Sequence, residues 1–230
     1  DIRKQIGEEL LLFDGAMGTM LQAYGMKAGQ NPEALNLEDP ELLGRIHREY
    51  VEAGAQFITT NTFGANAYKL EETGYSVTEV ITAAVEIAKT ATAGTEAKVA
   101  LDIGPVGKMM KPIGLLDFDQ AYDYFREQVM IGAAAGADLI LIETMSDLAE
   151  MRAAVLAAKE NSDLPIFATM TFTEDGNTLT GTEPEIMALS LDALGVDVLG
   201  VNCSLGPKQL IPTIKRILAF TNTPVMVQAN

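Results

Sequence analysis

Several residue types are scarce in this sequence, and each scarcity argues against a class of protein. The chain has one cysteine, so it forms no intrachain disulfide, which fits a reducing, cytoplasmic compartment. Its one histidine, His47, lies in a predicted helix away from any strand end. We expect it on the surface, since a Ser-His-Asp triad cannot be built there. No apolar run reaches about 20 residues and no signal-peptide core is present, so the sequence predicts neither a membrane span nor a leader.

Basic residues are also few. The chain has 16 Lys and Arg against 32 Asp and Glu, which leaves a formal charge of −16. A field of that sign opposes binding to phosphate backbones and anionic membranes, so we expect neither a nucleic acid nor a membrane as partner. Apolar residues make up 48% of the chain, which indicates a globular protein rather than a disordered one.

Seven short apolar runs, rich in β-branched residues, alternate with segments of helical period. The runs are nearly continuous, as is typical of strands covered on both faces of a parallel sheet. The predicted strands are Leu10–Phe13, Phe57–Thr60, Val99–Ile103, Leu139–Ile142, Ile166–Thr171, Val198–Val201 and Val225–Val227. The predicted helices are Glu41–Ala53, Thr78–Thr92, Gln120–Ala135, Leu148–Lys159, Pro184–Leu194 and Pro207–Phe220.

A weak internal repeat favours a barrel. Gly54, Gly136 and Gly195 each stand where a helix should stop, three residues before a strand, and glycine adopts the left-handed cap without a Cβ clash. An open doubly wound sheet is the alternative, but the stretch Asp14–Thr19 fits its dinucleotide fingerprint poorly. We therefore predict one α/β domain over residues 1–230. It is a (β/α)₈ TIM barrel that is truncated after the seventh strand and lacks the eighth βα unit.

Polar or thiol residues follow the end of nearly every predicted strand. In a barrel all these ends lie around one mouth, where barrel active sites form. For three of them, Thr62, Thr144 and Thr171, the capping of a turn or helix is an equally good interpretation. The full set is Asp14, Asn61, Thr62, Asp102, Glu143, Thr144, Thr171, Asn202, Cys203, Gln228 and Asn230.

Six segments stand in the order seen in one enzyme family. They are Asp14–Thr19, His47–Ala55, Thr60–Gly64, Gly104-Pro105, Glu143-Thr144 and Gly200–Ser204. Over essentially its whole length the chain resembles the homocysteine S-methyltransferases. The likeness is greatest to the homocysteine-binding barrel of the cobalamin-dependent branch and weaker to the betaine-dependent branch. The resemblance implies an enzyme that activates the thiol of homocysteine and methylates it to give methionine.

The resemblance also implies a zinc ion held by three cysteinates. Cys203 matches one of these ligands, and the other two would follow Asn230, where this sequence stops. Asn230 itself matches an asparagine that completes the zinc shell before substrate arrives. Zinc would deprotonate the substrate thiol, whose ordinary pKa is near 8.5, at neutral pH.

The same resemblance assigns groups to the amino-acid end of homocysteine. Asp14 and Glu143 would receive the ammonium, and backbone N–H groups of Gly15 and Ala16 would receive the carboxylate. Carboxylates suit an ammonium, and exposed N–H groups in short turns suit anions. Further substrate-binding candidates are Asn61, Asp102 and Asn202. In the parent enzyme methylcobalamin would be the methyl donor, with cobalamin-binding and folate-binding modules as partners on a longer chain.

Two other functions remain open at this stage. One is a Mg²⁺-assisted barrel enzyme with Asp102 and Glu143 as oxygen ligands. It would need a third carboxylate after the fifth or sixth strand, where Thr171 and Cys203 stand instead. The other is a truncated, non-catalytic fragment of the methyltransferase domain. Betaine and S-methylmethionine remain alternative methyl donors, because enzymes that use them share this barrel.

Overall fold

The computed structural model describes residues 2–230. In this range six strands form one parallel sheet, in which strands that follow each other in sequence are neighbours in space. The sheet curls into part of a barrel of the TIM type. The strands are β1 (Phe57–Thr59), β2 (Lys98–Ile103), β3 (Leu139–Met145), β4 (Ile166–Met170), β5 (Val198–Asn202) and β6 (Val225–Gln228).

Helices connect the strands, as parallel pairing requires. The six predicted helices are confirmed, each within two residues at either end. In the described part of the chain the helices are α1 (Ile2–Gln5), α2 (Met17–Ala23), α3 (Leu35–Glu38), α4 (Pro40–Glu52), α5 (Ala67–Leu70), α6 (Val77–Thr92), α7 (Phe118–Ala135), α8 (Leu148–Asn161), α9 (Pro184–Leu194) and α10 (Pro207–Leu218).

The first predicted strand, Leu10–Phe13, is wrong as a strand, so the sheet has six strands rather than seven. Only Phe13 forms a bridge, a parallel one to Phe57. The segment pairs on that side alone, and Leu10 and Leu12 are 82% and 51% exposed. A run with few ladder bonds and little burial does not form a regular strand. At the opposite edge β6 is partly exposed, whereas β4 and β5 are buried throughout.

The amino ends of the strands form one face of the sheet, which we call the foot. The three repeated glycines lie there, each with a positive φ: Gly54 (101°), Gly136 (99°) and Gly195 (68°). Gly136 and Gly195 are the left-handed C-caps of α7 and α9. The predicted helix-to-strand turn is therefore confirmed.

A polar residue two positions after each of these glycines ties neighbouring strands together at the foot. Gln56 Oε1 accepts from the backbone N–H of Leu12 at 2.8 Å. Asp138 accepts in the same way from the N–H of Val99 in β2, and Asp197 accepts from the N–H of Ile166 in β4. Each short turn thus satisfies a backbone donor that the adjacent strand leaves unpaired.

The interior of the curled sheet is filled by side chains from alternate strand positions. Phe13 stacks on Phe57 with ring centroids 4.7 Å apart, and Phe167 lies 5.8 Å from Phe13. Buried aliphatic residues of β2, β3 and β5 complete this cluster. This packing fills part of the interior below the carboxyl ends of the strands.

His47 is not on the surface, and that expectation was wrong. Its side chain is 1% exposed, because it lies on the inward face of α4 beside Leu43 and Ile46. Burial, and secondarily the charge of Arg48, lowers the pKa of His47 to about 4.

Within residues 2–230 no helix is long and apolar enough to cross a membrane.

Candidate functional site

A cavity of about 1170 Å³ opens at the carboxyl ends of the strands, which we call the mouth. It continues along the open edge between residues 6–13 and 224–230. The nine residues that the family resemblance assigns to zinc or to substrate all line this cavity: Asp14, Gly15, Ala16, Asn61, Asp102, Glu143, Asn202, Cys203 and Asn230. The structure therefore brings the candidate residues together, and their individual roles stay predictions.

The lining of the cavity carries charge of one sign. Its described residues include six acids and no lysine, arginine or histidine. Carboxylates held in a partly enclosed space with no counter-ion attract a cationic group. The acids are Glu8, Glu9, Asp14, Glu33, Asp102 and Glu143.

Asp14 projects from the turn after the Phe13 bridge. Its carboxylate accepts from the backbone N–H of Thr59 at 2.8 Å and from the Thr59 hydroxyl at 2.6 Å. These bonds fix the position of the carboxylate but do not offset its burial, which raises the pKa of Asp14 to about 7. A cationic ligand would reverse that shift, because an opposite charge favours the ionised form.

Asp102 is the most confined acid of the mouth. It is 6% exposed, and its Oδ1 atom has no hydrogen-bond partner among the described residues. Burial raises its pKa well above the usual value, and the charges of Glu143, Asp14 and Glu33 raise it further. A buried, unpaired acceptor costs free energy unless a ligand completes it.

Glu143 enters the cavity through an irregularity in β3. The register with β4 shifts between Ile142 and Met145, which marks a bulge of one extra residue. Bulges near active sites commonly turn a side chain toward the site. Burial, followed by the charge of Asp14, raises the pKa of Glu143 to about 7.

Three non-glycine residues in the described chain have a positive φ, and all three lie at this mouth. They are Thr144 (59°), Cys203 (56°) and Ser204 (60°). Such conformations cost about 1–3 kcal/mol each and persist only where surrounding contacts hold them. Strained residues concentrate at functional sites, so this cluster supports the mouth as the site.

Cys203 directly follows β5, and its Sγ atom lies 3.7 Å from Thr144 Oγ1 and 3.4 Å from Asn202 Nδ2. Burial raises the pKa of its thiol, more than the bond with Thr144 lowers it. The protein alone therefore does not hold Cys203 as a thiolate at neutral pH.

The residues present do not form a complete zinc centre. Within residues 2–230 no group of three or more His, Cys, Asp or Glu side chains is placed to hold a metal ion. Cys203 offers one thiol sulfur and Asn230 one amide oxygen on the same cavity, whereas a zinc site has four ligands. The magnesium hypothesis requires a third carboxylate beside Asp102 and Glu143, and the described residues place no such group of three together.

The turn after Asp14 presents free backbone donors. No acceptor is found among residues 2–230 for the N–H groups of Gly15 and Ala16, which precede α2. A Cβ at Gly15 would lie 2.8 Å from the Tyr50 hydroxyl, which donates to the carbonyl of Ala16 at 3.2 Å. A side chain at this position would therefore displace the end of the Tyr50 ring.

Some residues of the mouth were missed in the sequence. Glu33 lines the cavity and its Oε1 accepts from the N–H of Gly64 at 2.6 Å, but it lies in a loop without any periodic pattern. Thr59 and Thr169 lie within strands, where their hydroxyls resemble ordinary β-branched positions. Phe63 packs against Gly104, and Lys69 lies over its ring. In the sequence it was noted only as a member of the segment Thr60–Gly64 and was given no role of its own.

Of the three threonines left undecided, none caps a helix. Thr62 donates to the carbonyl of Asp102 at 2.7 Å and is fully buried, so it ties β2 to the preceding loop. Thr171 shares a hydrogen bond of 2.7 Å with Ser204. Thr144 contacts Asn202 and Cys203 and lines the cavity.

The parallel, curled sheet with acids and a thiol at its carboxyl ends defines the class of α/β-barrel domains with a functional mouth. The chain belongs to the homocysteine S-methyltransferase family, whose profile matches residues 11–230. The predicted family membership is thereby confirmed.

Known relatives agree with this assignment. The methionine synthases of Mycobacterium tuberculosis and Mycobacterium leprae are 31% and 30% identical to this chain. The alignments cover all of this chain but only 21% and 20% of those proteins, so it spans about a fifth of their length. Among solved structures, the metallated form of the homocysteine methyltransferase MmuM from Escherichia coli matches with a TM-score of 0.86. It is 24% identical, and the match covers 97% of this chain and 84% of that one, which shows the shared fold.

Proposed function

We propose that this chain is the homocysteine-binding barrel of a zinc-dependent homocysteine S-methyltransferase of the methionine synthase type. The observation that carries the proposal is the mouth itself, a cavity with buried acids, no basic residue and a thiol at its rim. An amino acid with a thiol side chain matches that chemistry, because its ammonium needs carboxylates. The methionine synthase relatives support the same choice of substrate.

Each end of homocysteine has a partner in this proposal. Asp14 and Glu143 bind the ammonium, and Asp102 is a third acid of the same lining. The free N–H groups of Gly15 and Ala16 bind the carboxylate, a role that no cation of the lining could take. Asn61 lines the same wall and is held by a bond to the carbonyl of Pro32 at 2.7 Å. This arrangement directs the thiol end of the substrate toward Cys203.

Zinc belongs to the whole protein in this proposal. Cys203 would supply one thiolate, Asn230 one oxygen, and two further cysteinates would come from residues after Asn230. A zinc ion bound in this way supplies Lewis acidity that keeps the substrate thiol deprotonated at neutral pH. Methylcobalamin is the methyl donor, brought by the cobalamin-binding module of a longer protein that also has a folate-binding module.

The test is metal content by mass spectrometry. Residues 1–230 and a version extended past Asn230 in the parent sequence are each measured with and without homocysteine. Stoichiometric zinc in the extended protein alone, bound more tightly with homocysteine, is the expected result. It would also mark residues 1–230 alone as non-catalytic. No zinc in either protein, or magnesium instead, would contradict the proposal.

A second variant separates the zinc hypothesis from the magnesium one. In the extended protein, Cys203→Ser should abolish zinc binding and methyl transfer from methylcobalamin to homocysteine. Under the magnesium hypothesis the same change would leave activity intact, while Asp102→Asn would remove it. Ser204→Ala, one residue further and equally in a left-handed conformation, serves as the control for local disturbance.

A further inference from the structure

The conformation of the β3 bulge needs an external support. Thr144, the second residue of the bulge, has a φ of 59° although its side chain is β-branched. A β-branched residue in this region is a genuine outlier, so neighbouring contacts must hold it. Glu143, which faces the cavity, is the preceding residue, and its direction depends on the same backbone.

The amide of Asn202 provides that support from the next strand but one. Its Oδ1 atom accepts from the backbone N–H of Thr144 at 2.9 Å, and its Nδ2 group donates to Thr144 Oγ1 at 2.7 Å. The same Nδ2 group lies 3.5 Å from Glu143 Oε2. The Asn202 side chain therefore makes two hydrogen bonds to Thr144 in the bulge and also contacts the Glu143 carboxylate.

The orientation of that amide is set by Thr169. The hydroxyl of Thr169, in β4, donates to Asn202 Oδ1 at 2.9 Å. Two donors thus converge on one end of the Asn202 amide, which identifies that end as oxygen and turns the Nδ2 group toward the bulge. Thr169 is fully buried and is absent from the lining of the cavity, so it cannot touch a ligand there.

We propose that Thr169 is a positioning residue: acting through Asn202, it holds the β3 bulge so that the Glu143 carboxylate faces the ammonium of the substrate. The identity of that substrate rests on the function proposed above. The chain of contacts from Thr169 to Asn202 to Thr144 and Glu143 stands on the structure alone. This assigns Asn202 to positioning rather than to direct binding of substrate.

The binding test compares Thr169→Val, which removes the hydroxyl at nearly constant shape, with Thr169→Ser, which retains it. Dissociation constants are measured by calorimetry for homocysteine and for its desamino analogue. Loss of one buried hydrogen bond predicts that Thr169→Val weakens homocysteine binding about fivefold to tenfold. The desamino analogue should bind equally to both variants and the wild type, and Thr169→Ser should restore homocysteine affinity. A purely structural role would weaken both ligands alike.

Thr92→Val is the matched control, because Thr92 is a buried threonine in α6 whose hydroxyl donates to the carbonyl of Ala88 at 3.1 Å. It should leave both ligands unaffected. Equal homocysteine affinity in Thr169→Val and the wild type would overturn the proposal.

A ligand-free measurement separates failure of the proposal from failure of the proposed function. In the free protein, Thr169→Val should shift the side-chain NH₂ resonances of Asn202 and speed their exchange with water, whereas Thr92→Val should not. If wild type binds no homocysteine, the proposed function fails, and this spectrum still decides whether Thr169 orients the amide. Unchanged Asn202 resonances would contradict the positioning role.

Discussion

The same residue type, aspartate, behaves in opposite ways at the two ends of this sheet. At the foot, Asp138 Oδ2 accepts from Lys89 Nζ and from the N–H of Val99, both at 2.7 Å. Asp197 likewise pairs with Arg3 at 2.7 Å and accepts from the N–H of Ile166 at 2.8 Å. Each foot carboxylate is matched by a cation and a backbone donor.

At the mouth no ion pair is found for Asp14, Asp102 or Glu143 within residues 2–230, although the charge of Lys69 acts on Asp102 from outside the lining. In the same range Asp14 is held by Thr59, and one oxygen of Asp102 has no hydrogen-bond partner. Burial consequently raises the pKa of both groups. The foot acids therefore stabilise the fold through their partners, whereas the mouth acids lack such partners, as the proposed binding of a ligand with positive charge requires.

The largest expected effect is the loss of one mouth carboxylate. Glu143→Gln preserves shape but removes the charge that faces the ammonium, so homocysteine binding should weaken by about 2–5 kcal/mol. Calorimetry measures this, with Glu127→Gln on the exposed side of α7 as the control. If Glu143→Gln binds homocysteine as tightly as the wild type, Glu143 does not bind the ammonium.

The mouth acids should also reverse the usual pH dependence of stability. The folded pKa of Asp14, about 7, lies above its unfolded value of 3.8. The unfolded state therefore ionises first, and the free energy of unfolding falls as pH rises from about 4 through about 7, then levels off. The contribution of Asp14 is on the order of 4 kcal/mol. Urea denaturation across this range checks it, and Asp14→Asn should flatten the curve; a curve that rises equally in both proteins would contradict it.

A matched pair of substitutions compares the two ends directly at pH 8. Asp138→Asn removes a charge that has a partner and should lower the free energy of unfolding by about 1 kcal/mol. Asp102→Asn replaces a buried carboxyl group whose ionisation is opposed by burial and by the charges of neighbouring acids, so this protein should become more stable. Chemical denaturation of the two variants should give changes in the free energy of unfolding of opposite sign. Changes of the same sign would contradict the proposed difference between foot and mouth acids.

The smallest effect concerns the glycine turns of the foot. A Cβ at Gly136 would meet nothing within 4 Å, so only its φ of 99° opposes alanine there. Gly136→Ala should therefore cost about 1 kcal/mol. Gly18, in α2, is equally open but has no positive φ. Gly18→Ala should stabilise by about 0.4–1 kcal/mol, and equal thermal midpoints for the two variants would refute the role of φ.

Much of the fold could be predicted because its signals are local. Continuous apolar runs correctly predicted six of the strands, and Gly136 and Gly195 correctly predicted where two helices end. His47 could have been placed correctly, since it lies between Leu43 and Tyr50 at helical spacing on the stripe that α4 buries. The error at Leu10–Phe13 is of another kind, because an apolar run does not reveal whether strands cover it on both sides.

The candidate site could be predicted in outline for a related reason. In a parallel barrel, position at a strand end fixes which face a residue lies on, which is why Asp14, Asp102, Glu143 and Cys203 meet at one cavity. The roles of Glu33 and Thr169 depend instead on contacts between residues distant in sequence. The contact between Thr169 and Asn202 spans 33 positions, and no local pattern marks it.

Calorimetric titration of this chain with homocysteine at pH 6 and pH 8, in buffers of different ionisation enthalpy, tests directly whether the mouth acids bind an ammonium group. If the mouth acids bind the ammonium, their protons must leave on binding, so affinity should rise by up to about tenfold per pH unit for each proton released. Buffer-dependent heats near pH 7 should report that release, and the desamino analogue should show neither effect. Homocysteine affinity that is independent of pH, or equal to that of the desamino analogue, would contradict ammonium binding by the mouth acids.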